Sequence, residues 1–177
     1  MALSGGPTKD EVMALSLFKL GINESDVFAD IGCGTGKISL EVSSVAMKVY
    51  AIDRRKEAIA LAREKAESAG AENIELFCGE AIDILPTIDR IDCAFIGGSG
   101  NLDRVLRILH TFHTRSIVVN AVKIDTLNLA INTMEQLGIF KEALHLQVGK
   151  SHTLAGGIMF KPLDPVYIVV GGCPPCS

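Results

Sequence analysis

The chain has 177 residues, of which 48% are hydrophobic and 21% charged, and its formal net charge is −4 at pH 7. This length predicts a single domain over 1–177 with a real core, and the apolar fraction excludes a disordered chain. Because the net charge is negative, the protein as a whole is not expected to be attracted to nucleic acid or to an anionic membrane. No run reaches the roughly 18 apolar residues that a membrane span requires.

The opening residues, MALSGGPTKDEV, lack a charged leader followed by an apolar stretch, so no signal peptide is predicted. The chain has five cysteines, an odd number that is typical of reduced thiols and not of a disulfide framework. We therefore expect a cytoplasmic protein.

Strand-like and helix-like segments alternate along most of the chain. A capping box at Thr8–Glu11 predicts that a first helix spans about 8–20. Apolar runs then predict seven strands, at 27–31, 48–53, 73–78, 91–96, 115–120, 140–148 and 165–171. Further helices are expected at 36–47, 55–69, 101–111 and 123–137, and a loop between the last two strands.

This alternation predicts an α/β fold, in which a mostly parallel seven-stranded sheet is covered by helices on both faces. Because no helix separates the last two strands, they are expected to pair antiparallel. The last residues, 172–177, are expected to form a frayed tail.

A glycine-rich turn follows the first predicted strand. Glycines allow backbone N–H groups to approach a ligand closely, and the next helix directs its positive end at an anion. The glycine spacing disfavours a dinucleotide loop, which needs Gly-x-Gly-x-x-Gly, and Ile38 breaks the phosphate-loop pattern after Lys37. The candidate residues of this turn are Asp30, Gly32, Cys33, Gly34, Thr35 and Gly36.

Acidic residues also lie at the ends of the next two predicted strands. Asp53 ends the second strand, at the position where a carboxylate can accept both hydroxyls of a ribose. Glu80 and Ala81 follow the third strand. Each feature alone has a purely structural alternative, such as a helix cap, but ligands of open α/β sheets bind where these three strand ends meet.

The pattern Asp-x-Gly-x-Gly-x-Gly after the first strand resembles the class I S-adenosylmethionine-dependent methyltransferases. That resemblance implies S-adenosylmethionine as the methyl donor, with its carboxylate at the helix end and its ammonium near Asp30. It further implies ribose on Asp53, and adenine at the Glu80 side chain and the Ala81 N–H.

A more specific resemblance rests on the Gly-Pro-Thr run at 6–8, the Gly-Gly-Ser-Gly run at 97–100 and the Asp-Pro-Val run at 164–166. Together with Tyr-Ala-Ile-Asp at 50–53, these motifs are similar to those of the cobalt-precorrin C15-methyltransferase (decarboxylating) family of corrin-ring synthesis. The resemblance implies methylation of C15, loss of the ring C acetate carboxyl group, cofactor contact by Thr8 and a homotetramer. It also implies that methylation of C5 would need a separate polypeptide partner.

A polycarboxylate substrate of this kind needs cations and backbone donors. The candidates on the substrate side are Gly98 and Ser99 after the fourth strand, and Lys150 and Lys161 in the late loop. The two lysines have a structural alternative as solvated loop charges, and Thr8 has one as a helix cap. No arrangement in the sequence identifies a general acid or base.

Two other functions remain open. An RNA or protein methyltransferase would need a basic groove or a recognition domain, and a non-catalytic methyltransferase-like subunit would be expected to lose the cofactor acids. The sequence predicts no nucleic acid or membrane partner and no protein-bound metal. Cys173 and Cys176 form a single Cys-x-x-Cys pair, which cannot supply four zinc ligands by itself.

Overall fold

The computed structural model describes residues 8–98 and 100–174. Nine strands are found there: β1 Val27–Ile31, β2 Lys48–Asp53, β3 Ile74–Cys78, β4 Cys93–Ile96, β5 Ser116–Ala121, β6 Phe140–Leu146, β7 Gly149–Leu154, β8 Gly157–Pro162 and β9 Val166–Gly171. The helices of the same residues are α1 Asp10–Leu20, α2 Lys37–Ser43, α3 Lys56–Ala69, α4 Ala81–Ile84, α5 Leu102–Thr111 and α6 Ile124–Gln136.

Seven of the strands form one sheet in the order β3-β2-β1-β4-β5-β9-β6. The first five strands pair in parallel, while β9 pairs antiparallel with both β5 and β6. The predicted α/β fold, with seven sheet strands and an antiparallel last strand, is confirmed. The strand order reverses at β1, so the ends of β1, β2, β3 and β4 share one edge, at the switch point where such sheets bind ligands.

The sheet is buried on both faces because its central strands are apolar throughout; all five residues of β1 are buried. On one face, Phe28 and Phe95 pack with residues of α1 and α2. On the other face, Ile31 and Ile96 pack with residues of α5 and α6. A single polar side chain of β1, that of Asp30, is therefore held in an apolar layer.

The segment between β6 and β9 is not the loop that the sequence predicted. It forms a two-stranded antiparallel hairpin, β7–β8, outside the main sheet. Every residue of both strands is exposed. The burial alternation that identifies a sheet strand in a sequence is therefore absent, which explains the wrong prediction.

The capping box predicted at Thr8 does not form. Helix α1 begins at Asp10, and Lys9 precedes it without any side-chain cap hydrogen bond. The Glu11 carboxylate, expected to fold back on the helix, instead binds Lys150 Nζ of the hairpin at 2.7 Å. A tertiary ion pair has replaced the local hydrogen bond of the capping box.

The predicted tail 172–177 is anchored at its first residues. The Gly172 N–H donates to Ile139 O and the Cys173 N–H donates to Thr114 O, both at 2.9 Å. Cys173 is buried. The tail prediction is therefore wrong for 172–173, while Cys176 and the other residues after 174 lie outside the described part of the chain.

Candidate functional site

The turn between β1 and α2 is held against the tip of β2. The N–H groups of Gly32 and Cys33 both donate to Ile52 O, at 2.8 and 3.0 Å, and Gly36 N–H closes the turn on Cys33 O. Gly32, Gly34 and Gly36 all have positive φ, between 55° and 77°. This conformation favours glycine, so the glycine pattern read from the sequence follows from the backbone of the turn.

Gly32 also permits a close backbone contact. A Cβ atom at Gly32 would lie 2.9 Å from the backbone nitrogen of Gly98, a separation that real Cβ atoms essentially never show. The turn after β1 and the residues after β4 are thus packed backbone to backbone. Gly98, predicted on the substrate side, therefore lies directly beside the glycine turn predicted to bind the cofactor; Ser99 lies outside the described residues.

Asp53 stands at the end of β2 with its carboxylate facing this turn. Its Oδ2 accepts the Gly34 N–H at 2.9 Å, and its Oδ1 accepts the N–H of Arg55 at 2.9 Å. The Arg55 side chain adds Nε to Oδ1 at 3.0 Å and Nη2 to Oδ2 at 2.9 Å. Burial alone would raise the pKa of Asp53, but these hydrogen bonds outweigh it and hold the pKa below its usual value. Asp53 is therefore ionised at neutral pH.

The end of β3 is joined to Asp53 through the backbone, because Gly79 N–H donates to Asp53 O at 3.1 Å. Glu80 precedes the first residue of α4, which is Ala81. The Glu80 carboxylate is half exposed, and its Oε1 lies 3.8 Å from Arg54 Nη1. The structure thus brings Gly34, Asp53, Glu80 and Ala81 to one edge of the sheet.

Asp30 lies beneath the turn and is 1% exposed. Ser39 of α2 donates its hydroxyl to Oδ2, while the buried Oδ1 has no hydrogen-bond partner. Burial raises the pKa of Asp30 to about 7, and the neighbouring Asp53 charge adds to this effect, although the Ser39 hydrogen bonds oppose it. A buried acceptor without a partner is costly, and such groups are often found at functional sites.

Other residues of the turn have structural roles. Cys33 is buried in a small cluster with Ala51 and Ile59, and burial raises the pKa of its thiol. The thiol is therefore protonated and unsuited to nucleophilic attack. Thr35 lies within the turn, partly exposed. Thr8 approaches the same region, because its carbonyl oxygen accepts Lys37 Nζ at 2.7 Å.

Two of the predicted carboxylate-binding residues meet on the hairpin. Lys150 on β7 lies directly opposite Lys161 on β8, so their side chains share one face. Lys150 also binds Glu11 of α1, which connects the hairpin to the main body. Both lysines were predicted to lie in a loop, and their pairing was not predicted because neither strand shows an alternation of buried and exposed residues.

Three further polar residues near this edge were not predicted as site residues: Asn120, Glu11 and Arg55. The Asn120 amide, near the end of β5, is within 3.2 Å of Ser16 Oγ, yet its Nδ2 is buried without a partner. Glu11 likewise keeps a buried Oε2 without a partner. Arg55 covers the Asp53 carboxylate. A polar residue at the end of an apolar strand, such as Asn120, was the available signal.

Within 8–98 and 100–174, no three His, Cys, Asp or Glu side chains come together as metal ligands would. No helix in the described part of the chain is long and apolar enough to cross a membrane.

The chain is similar to known proteins over nearly its full length. A family model described as the precorrin methyltransferase domain matches residues 3–170. A Methanosarcina acetivorans protein named probable cobalt-precorrin-6B C(15)-methyltransferase (decarboxylating) is 50% identical over 176 residues, covering 97% of this chain and 96% of that protein. An Archaeoglobus fulgidus protein of the same name is 36% identical, covering 96% of this chain and 99% of that protein.

Solved structures give the same picture. A precorrin 8W decarboxylase of Methanobacterium thermoautotrophicum superposes with a TM-score of 0.89 at 33% identity, covering 94% of this chain and 92% of that one. A precorrin-6y C5,15-methyltransferase of Geobacter metallireducens gives 0.90 at 30% identity, covering 97% and 94%. A tRNA (m1A58) methyltransferase of Aquifex aeolicus, at 0.71 and 15% identity over 97% of this chain and 71% of that one, shares the fold alone. The fold is that of the class I methyltransferases.

Proposed function

The chain belongs to the precorrin methyltransferase family, and from this membership we propose that it methylates C15 of a cobalt-precorrin and removes the carboxyl group of the ring C acetate. The observation that carries the proposal is 50% identity to the Methanosarcina acetivorans protein over nearly the full length of both chains. The reaction would belong to cobalamin biosynthesis.

We propose S-adenosylmethionine as the methyl donor. When bound, it supplies a methyl group already activated by a sulfonium. The residues present fit this donor: Asp53 is an ionised carboxylate suited to ribose hydroxyls, and the orphaned Oδ1 of Asp30 suits the ammonium group. The glycine turn, including the Gly34 N–H, would border the ribose and the methionine carboxylate. Glu80 and Ala81 at the end of β3 would contact adenine, and Cys33 and Thr35 would contribute backbone.

The main contribution of these residues to catalysis is placement. Methyl transfer needs the acceptor carbon in line with the carbon–sulfur bond and needs water kept out. The tight packing of Gly32 on Gly98 keeps the donor edge and the acceptor edge at a fixed separation. Once C15 has accepted the methyl group, the conjugated macrocycle can take up the electron pair left when the acetate side chain loses CO2.

We propose that the hairpin lysines bind the acceptor. Lys150 and Lys161 present two ammonium groups on one face, and a polycarboxylate would be attracted to both. Lys150 already binds a carboxylate, that of Glu11, so a substrate carboxylate can exchange for it. Gly98 would let the macrocycle approach the backbone, and Ser99 stays a candidate by its place in the sequence.

Replacing Lys150 with glutamine is therefore expected to raise the KM for the cobalt-precorrin about three- to tenfold, because one partly exposed charge contact is lost. The affinity for S-adenosylmethionine, measured by calorimetry, should stay within twofold of wild type. Lys65→Gln on α3 serves as the matched control, since it removes the same charge from an exposed position outside the proposed site. An unchanged KM for Lys150→Gln would argue against the lysine pair as the acceptor site.

The acceptor itself is tested by a panel. Purified protein is incubated with radiolabelled S-adenosylmethionine and, separately, with cobalt-precorrin-6B, total RNA or a protein extract. We expect label in the corrinoid only. Label in RNA or protein with untouched corrinoid would favour the alternative of a macromolecular methyltransferase, and no label with any acceptor would favour a non-catalytic subunit.

We also propose a homotetramer, as the family resemblance implies. The hairpin supports self-association, because Ile158 and Phe160 are exposed apolar side chains. Sedimentation equilibrium should give the mass of four chains, and the mass of one chain would contradict this.

The cytoplasmic location, the absence of a bound metal and a separate C5-methyltransferase partner stay predictions.

A further inference from the structure

Four hydrogen-bond donors surround the Asp53 carboxylate. Two are backbone groups, the N–H of Gly34 and the N–H of Arg55. The other two, Nε and Nη2, belong to the guanidinium of Arg55. A carboxylate offers about four lone-pair sites, so the acceptor capacity of Asp53 is filled.

A ribose diol needs two of those sites. The two backbone donors are fixed, because the Gly34 N–H belongs to the turn after β1 and the Arg55 N–H lies just before α3. The guanidinium is at the end of a flexible side chain and supplies two hydrogen-bond donors, and the two hydroxyl groups of a ribose diol supply the same number. It is therefore the group that can leave when a ribose arrives.

The guanidinium also lies where a ligand would approach. Arg55 Nη2 is 3.8 Å from the place of a Cβ on Gly34, so the guanidinium lies beside the middle of the glycine turn. The Asp53 side chain is 4% exposed, whereas that of Arg55 is 34% exposed. The carboxylate is thus screened from solvent on the side where Arg55 stands, and a nucleoside must displace that side chain to reach it.

We propose that the Arg55 guanidinium occupies the ribose position of the cofactor site in the ligand-free protein and is exchanged for the ribose diol on binding. Arg55 is then a residue that sets cofactor affinity by competition. This inference rests on the proposed function, since it takes the ligand of Asp53 to be S-adenosylmethionine. The apparent Kd equals the intrinsic Kd divided by the fraction of protein in which Asp53 is uncovered, so a well-populated covered state weakens binding.

Calorimetry on the full chain tests the exchange. In Arg55→Ala the backbone N–H stays and only the competing guanidinium is lost. We expect the Kd to fall about three- to tenfold for S-adenosylmethionine and equally for S-adenosylhomocysteine, because both carry the ribose. Lys56→Ala is the matched control, since it removes one positive charge from the next, exposed position; its Kd values should not change.

A second readout is the thermal midpoint. Without ligand, Arg55→Ala should melt below wild type, because the buried Asp53 carboxylate has lost its charged partner and keeps only two backbone donors. With saturating cofactor the two midpoints should converge, since wild type has then lost that contact too. Arg55→Lys, which keeps the charge but not the fork, should lie between the two in Kd.

Each possible result of the calorimetry either supports or contradicts the exchange of the Arg55 guanidinium for the ribose diol. An equal tightening for both ligands supports the exchange. Tightening for S-adenosylmethionine alone would assign the effect to repulsion of the sulfonium and overturn it, as would an unchanged or weaker affinity for both ligands. If wild type itself binds neither ligand, the proposed function fails, which is a different outcome from a wild type that binds and a variant that does not tighten.

Discussion

The protein in which Asp30 is replaced by asparagine is expected to be more stable than wild type at pH 8, by up to about 4 kcal/mol. Asp30 is buried with one oxygen unpaired, and burial raises its pKa to about 7. A raised carboxyl pKa means that the folded protein holds its proton more tightly than the unfolded chain. Stability from this group is therefore complete below pH 4 and is lost as pH rises through 7.

The measurement is urea unfolding of Asp30→Asn and wild type at pH 5 and pH 8. The advantage of the variant should be larger at pH 8, because only there is Asp30 ionised in the folded protein. Asp89→Asn is the control, since Asp89 is exposed and its replacement should change stability little at either pH. A pH-independent difference for Asp30→Asn would contradict a titrating buried carboxyl group.

The same substitution should weaken binding of S-adenosylmethionine by roughly ten- to a hundredfold at pH 8, if Asp30 pairs with the ammonium group. A variant that is more stable and binds less well is typical of a site where an uncompensated charge is kept for its ligand. Calorimetry at pH 8 measures the loss, and an unchanged Kd would separate Asp30 from the cofactor.

Replacing Asp53 with alanine should weaken the affinity for S-adenosylmethionine by about 1.5–3 kcal/mol, the range for hydrogen bonds to a charged group. The physical reason is the loss of the ionised acceptor of the ribose hydroxyls. Glu57→Ala is the matched control, because Glu57 is an exposed acid in the first turn of α3. An unchanged Kd for Asp53→Ala would remove Asp53 from the ribose site.

A double variant relates this result to Arg55. In the Asp53→Ala background, Arg55→Ala should no longer tighten binding, because the carboxylate that the guanidinium covers is absent. The interaction between the two substitutions is then non-additive, as expected for residues in direct contact.

The sheet and the edge that carries the candidate site were predictable from the sequence because each depends on a local pattern. The apolar runs at 27–31 and 91–96 have the length and composition of short buried strands, and the glycines at 32, 34 and 36 mark a turn with positive φ. Asp53 was found because the end of a parallel strand has a fixed place relative to its neighbours.

Other features depend on contacts between distant residues, and no local pattern reports them. Glu11 fitted a capping box, but Lys150, far along the chain, offered it a charged partner. The hairpin has no buried face, so its strands carry no alternation in the sequence, and the segment was predicted as a loop. Arg55 lies two residues after Asp53, and nothing in that spacing predicted that its guanidinium would donate to both carboxylate oxygens.

One active site is proposed both to transfer a methyl group and to release CO2. The most direct measurement incubates the protein with cobalt-precorrin-6B and S-adenosylmethionine carrying a ¹³C methyl group, and follows product mass and released CO2 together. We predict one labelled methyl group gained for each CO2 lost, with the label on C15. A product that keeps its full set of carboxyl groups, or a corrinoid that takes up no label while S-adenosylmethionine binds, would contradict the account.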